Sequence, residues 1–171
     1  DTNIQFIRPA IEIHKRRITV RFAEDKDLVA VKDLAREAFR HDRFHRDPNI
    51  ENETASNIKE EWAGNFFSGK RGQWMVVTEE NGGISGFLQL LSSNEGSVII
   101  DLVAVKSSRR GQGIAQGMIS YAVQACLGKT AVIKAGTQVA NLASVALYNR
   151  LGFKFSSAAF VLHLHQLDNR K

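Results

Sequence analysis

The chain has 171 residues, 43% of them hydrophobic, and its 23 Lys and Arg against 18 Asp and Glu leave a net charge of +5. That length and apolar content suit one globular domain whose core needs no staples, and the lack of any apolar run near about 20 residues excludes a membrane-spanning helix. The single cysteine, Cys126, excludes an intrachain disulfide and suits a reducing compartment, so a cytoplasmic protein is expected.

The first residues, DTNIQFIRPA, lack the apolar centre of a signal peptide. The chain begins at Asp1 and not at methionine. Residues 1–16 carry no assigned element and are read as an N-terminal extension, the remnant of a longer region, ahead of a domain at 17–171. Ile18–Phe22 (ITVRF) alternates apolar and polar residues as a half-buried strand does. Residues 25–40 read as a helix capped by Asp25 or Asp27, with Leu28, Val31, Leu34, Ala35, Ala38 and Phe39 on its apolar stripe. A polar loop, HDRFHRDPNIENE, spans His41–Glu53. A second helix is predicted from Thr54, with Ile58, Trp62 and Phe66 four residues apart, stopping near Gly69.

From Gln73 the pattern changes. WMVVTEE is strand-like, NGG is a hairpin turn, and ISGFLQLL is the returning strand. After a turn over Ser92–Gly96, SVIIDLVAV reads as a strand buried on both faces. Next come a glycine-rich turn, RRGQG, and a helix carrying Ile114, Met118, Tyr121, Ala122 and Ala125 on one side. AVIKAGT is a further strand, Asn141–Leu151 a short helix with Gly152 at its C-cap, and FVLHLH a final alternating strand. This order gives a mixed α/β sheet, mostly antiparallel, flanked by helices. It is not the strict alternation of a doubly wound dinucleotide fold.

The basic residues, Arg16, Arg17, Arg43, Arg46, Lys70, Arg71, Arg109 and Arg110 among them, form no dense tract. Nucleic acid and membrane surfaces are therefore disfavoured as partners, and a small anionic ligand is favoured. A strand, a glycine turn and a helix together offer unpaired N–H groups at the positive end of a helix dipole. Gly111 and Gly113 keep side chains away from those amides, and Arg109 and Arg110 add charge. No GxxxxGK run exists, and the glycines of GQGIAQG are one residue too far apart for a GxGxxG fingerprint.

Arg110-Gly111-Gln112-Gly113-Ile114-Ala115 fits the R/Q-x-x-G-x-G/A signature of the GNAT N-acetyltransferases, and DLVAVKSSRRGQGIA resembles that family's central strand, turn and helix. NLASVALYNRLGF resembles the family's second segment, with Asn141, Ser144, Tyr148, Gly152 and Phe153 in place. The resemblance covers about residues 17–167. It implies a sheet with splayed central strands and acetyl-CoA as co-substrate, held by Leu102, Val103, Ala104, Val105, Arg109, Arg110, Gly111, Gln112, Gly113, Ile114, Ala115, Asn141, Ser144 and Tyr148. It also implies direct transfer to a primary amine, with Tyr148 as general acid to the CoA thiolate and amides at Val103 or Val105 as oxyanion donors. Asp101, at the end of the central strand, is the base suggested by the same resemblance.

His41 and His45 are further groups within reach of the acceptor. His163 and His165, two residues apart, have chelating spacing but no evident third ligand, so no metal is expected. The stretch AFRHDRFHRDP, the Trp62 helix and the Thr137-Gln138 pair resemble the dTDP-fucosamine acetyltransferase group. That resemblance implies a nucleotide-linked amino sugar as acceptor, with Arg43, Phe44, His45, Arg46, Trp62 and Gln138 as substrate contacts. A protein N-terminus, lysine, polyamine or antibiotic amine, or a non-catalytic CoA sensor, stay open as alternatives. The residues do not decide between a monomer and a homodimer.

Overall fold

Strand residues that alternate in burial send their side chains to opposite faces of a sheet, and here both faces are covered. In a computed structural model, which describes residues 1–13, 18–80, 82–126 and 130–165, seven strands and four helices form one layered unit. In chain order these are β1 (Thr2–Pro9), β2 (Val20–Phe22), α1 (Leu28–Ala38), α2 (Asn52–Gly64), β3 (Trp74–Glu80), β4 (Gly83–Ser92), β5 (Val98–Val105), α3 (Ile114–Cys126), β6 (Val132–Gln138), α4 (Leu142–Arg150) and β7 (Lys154–Phe160). The sheet order is β2-β3-β4-β5-β6-β1-β7, and β5–β6 is its one parallel pair.

Met75 and Val77 of β3 pack with Phe87, Leu102 and Ala104 against Val31, Leu34 and Ala35 of α1 and Ala63 of α2. Val76 faces the other way, joining Leu88, Leu90 and Ile100 under Met118, Ile119 and Val123 of α3. A one-residue slip in β3 would exchange these two cores, so the pattern sets the register. Arg21 of β2 ties down the start of α1 by pairing with the buried Asp27 at 2.6 Å.

The structure changes four of the expectations. Part of the stretch read as an extension belongs to the sheet: β1 (Thr2–Pro9) lies inside it, antiparallel to β6 on one side and to β7 on the other, and buries Ile4 and Phe6. The last strand lies earlier than FVLHLH, because β7 pairs with β1 from Lys154 to Phe160 and ends where β1 begins. The second helix starts at Asn52 and stops at Gly64, where the amides of Lys70 and Arg71 fold back onto the Asn65 carbonyl. The strand buried on both faces is β4, over Ser85–Leu90, whereas β5 alternates buried and half-exposed residues.

Candidate active site

The sheet opens where its only parallel pair separates. β5 is bonded to β6 at Val98, Ile99 and Ile100, yet it stays paired with β4 as far as Val105. From Asp101 onward the edge of β5 that faces β6 carries no ladder, while β6 runs on against β1 to Gln138. A register shift in β4–β5 falls at the same place: Gln89 pairs Leu102 and Leu90 pairs Ile100, leaving Asp101 as the extra residue. Such a bulge bends and twists its strand. The result is a cleft of about 730 Å³ with the splayed strands as its floor and walls from α3, α4 and the loop after α1.

At one end of this cleft lies the glycine turn. Gly111 and Gly113 have φ of 77° and 82°, a region that L side chains rarely adopt, so glycine is needed there for conformation. The first bond of α3 runs from Gly117 N to Gly113 O at 2.9 Å, which leaves the amides of Ile114, Ala115 and Gln116 ahead of the helical ladder. The two arginines brace the turn. Arg109 makes a bidentate pair with Glu80, at 2.7 and 2.6 Å, and Arg110 bonds the carbonyls of Val105 and Ala38, each at 3.1 Å. The backbone amides are thus the turn's free anion donors.

Tyr148 of α4 lines the cleft, although the residue is only 2% exposed. Its ring is held by Phe6 and Phe153, with centroids at 5.6 and 5.4 Å. Burial raises the hydroxyl pKa above that of free tyrosine, so the group stays protonated through the physiological range. Asn141 caps α4, its Oδ1 accepting from Ser144 N at 3.2 Å, and both residues line the cleft. Asp101 is already engaged. Its Oδ2 accepts from Arg71 Nε (2.7 Å) and Gln89 Nε2 (2.9 Å), and its Oδ1 from Arg71 Nη2 (2.6 Å).

Much of the remaining lining is basic and aromatic. Arg40, His41, Arg43, Lys59, Trp62 and Arg150 belong to it, together with Asn3, Gln5 and Gln138. Lys59 is 6% exposed and its ammonium stands over the rings of Trp62 (4.5 Å), Phe39 (5.2 Å) and Phe44 (5.5 Å). Burial lowers its pKa from the usual lysine value. The Arg71 guanidinium also lies over the Trp62 ring, 4.7 Å from its centroid, so this indole is shared by two cations.

The cleft brings together every predicted residue of the central strand and of α4, all of the turn except Gln112, and Arg43, Trp62 and Gln138 of the acceptor set. Three acceptor residues and Gln112 fall outside it. His45 is turned inward, with Nδ1 bonded to Asp42 Oδ2 at 2.6 Å and Nε2 at 3.2 Å from Ser56 Oγ, and it pins the loop to α2. Phe44 is a packing residue, edge-on to Trp62 and stacked on His163. Arg46 and Gln112 point to solvent. Lys59 and Arg40 of the cleft lining were missed, as was Arg71 beside Trp62; Lys59 is a polar position on α2 and the two arginines lie in loops, so only the aromatic rings of Phe39, Phe44 and Trp62 mark them out. A third partner for His163 and His165 also exists: both imidazoles meet the Asp47 carboxylate.

Known proteins give the chain its family and its fold. The profile of the acetyltransferase (GNAT) family matches residues 28–153, and the chain belongs to that family. In sequence it is 33% identical over 142 residues to the spore coat polysaccharide biosynthesis protein SpsD of Bacillus subtilis, covering 82% of this chain and 48% of that protein. The chain thus spans about half the length of this curated relative. Among solved structures, an acetyltransferase of the GNAT family from Colwellia psychrerythraea superposes with a TM-score of 0.68 at 14% identity, over 91% of this chain and 53% of that one. The yncA protein of Salmonella typhimurium, solved with its cofactor acetyl-CoA, gives 0.57 at 22% identity, over 80% and 79% of the two chains. At these identities the solved structures establish the fold.

Proposed function

We propose that the protein transfers the acetyl group of acetyl-CoA directly to the primary amine of a small anionic acceptor, a nucleotide-linked amino sugar. One observation carries the reading: a single cleft joins an anion-binding turn, an unpaired strand edge and a basic, aromatic lining. The pyrophosphate of the CoA arm lies on the free amides before α3, beside Asn141 and Ser144. The thioester enters the gap between β5 and β6, where amides at Val103 or Val105 receive the oxyanion. The neutral acceptor amine attacks the carbonyl carbon, the C–S bond breaks, and Tyr148 gives its proton to the departing sulfur, while the proton shed by the new amide nitrogen returns through solvent to the Tyr148 phenolate, leaving the amide and the CoA thiol. Asp101 is assigned a positioning role: with three N–H groups on its oxygens it holds Arg71 against Trp62. On the basic lining Lys59 and Arg43 receive the acceptor's phosphates and Trp62 its sugar or base face.

A sugar substrate accords with the relative whose name places it in polysaccharide biosynthesis. The protein is read as working in the cytoplasm, where acetyl-CoA is made. The test is thiol release from acetyl-CoA against dTDP- and UDP-linked amino sugars, polyamines, aminoglycosides and peptides. Turnover confined to the sugar nucleotides is expected. Turnover confined to polyamines or peptides would overturn the acceptor while leaving the donor, and acetyl-CoA binding with no turnover would overturn catalysis.

A further inference from the structure

The loop after α1 and the segment after β7 meet at three side chains that the proposed reaction does not use. Asp47 Oδ2 accepts from His165 Nε2 at 2.9 Å and also from His163 Nδ1. The donor atoms of the three residues lie within 4.8 Å of one another. The carboxylate is oriented by a second bond, since Asp47 Oδ1 accepts from Asn49 N at 2.9 Å. Burial grades outward, the side chains of Asp47, His163 and His165 being 9%, 20% and 34% exposed, so the carboxylate lies deepest and His165 outermost.

We propose that Asp47, His163 and His165 form a binding site for a divalent transition-metal ion of the zinc class. Two imidazole nitrogens and one carboxylate oxygen are a donor set that zinc accepts with three protein ligands, leaving a fourth position to water. Bonds of about 2.0–2.1 Å place tetrahedral donors about 3.3 Å apart, so the Asp47–His165 pair need open by only about 0.4 Å from its hydrogen-bonded spacing. Each imidazole then turns its N–H to its other nitrogen and presents a lone pair to the ion. For His163 that other nitrogen, Nε2, is buried with no partner. This cost holds the affinity below that of a closed four-ligand structural site. The ion would staple the chain beyond β7 to the loop beside the acceptor end, because His163 stacks on Phe44 at 5.5 Å and Phe44 packs on the cleft residue Trp62.

The test is titration of chelator-treated full-length chain with Co²⁺, read by the visible absorption of tetrahedral cobalt, then displacement by Zn²⁺. One equivalent per chain is expected, with a raised melting temperature. Saturable binding should vanish in His165→Gln, which changes only the most exposed ligand, and in Asp47→Asn. If the wild-type chain binds no Co²⁺, or if both variants bind as the wild type does, the assignment fails and the cluster is a hydrogen-bonded strap only. Metal-free melting curves of the variants separate lost ligation from lost folding.

Discussion

In the proposed reaction the proton for the leaving sulfur comes from one buried hydroxyl, that of Tyr148. Burial raises its pKa and keeps its proton, and the rings of Phe6 and Phe153 fix the position of its ring. Tyr148→Phe keeps the ring and its packing while deleting the proton. It is expected to lower kcat about 10²-fold or more with little change in KM for acetyl-CoA, and an unchanged kcat would remove Tyr148 as the acid. In the same proposal Lys59 meets the other substrate. Truncation in Lys59→Met should raise KM for an anionic acceptor about tenfold or more, the scale of one charge-assisted bond, and leave KM for acetyl-CoA alone. Lys59→Arg should recover part of the loss. If both variants and the wild type share one acceptor KM, the basic lining of the cleft is not where the acceptor binds.

At the level of elements, the turn before α3 is the part whose backbone form is carried by residue type. An alanine at Gly111 would meet nothing within 4 Å, so its cost is conformational: φ there is +77°. A side chain in that region costs about 1–2 kcal/mol, and Gly111→Ala should raise KM for acetyl-CoA roughly 5- to 30-fold at similar kcat. Steady-state kinetics would decide it, and an unchanged KM would mean that the turn does not hold the CoA phosphates. This turn was legible in the sequence because positive φ and glycine go together. The α1–α2 loop was not, because its side chains answer to distant partners: His45 to Ser56, and Asp47 to His163, 116 residues away. The alternation of FVLHLH was real but misread. Phe160, Leu162 and Leu164 are 83–90% exposed while His163 and His165 turn inward to Asp47, a period of two without a ladder, since the partner β1 has ended.

At the level of the whole molecule, β1 decides whether β7 and the segment after it are attached to the sheet. β7 pairs with β1 alone, and each of its residues is exposed, so the ladder to β1 is its hold on the sheet. β1 in turn is wedged against β6 and sends Ile4 and Phe6 into the core beneath Tyr148. Nothing local in TNIQFIRP announces this, because a strand's membership in a sheet is settled by partners more than 120 residues further along. Phe6 is 3% exposed, and Phe6→Ala should cost about 3–5 kcal/mol, a large share of a stability of about 5–15 kcal/mol. Removing residues 1–9 takes more than that. It deletes two ladders, frees β7 together with the segment that carries His163 and His165, and strips one wall from Tyr148. The truncated chain is expected to lose its cooperative thermal transition and its near-ultraviolet circular dichroism. Should it instead melt cooperatively at the wild-type temperature, β1 would be dispensable, and the first residues would be the extension that their sequence suggests.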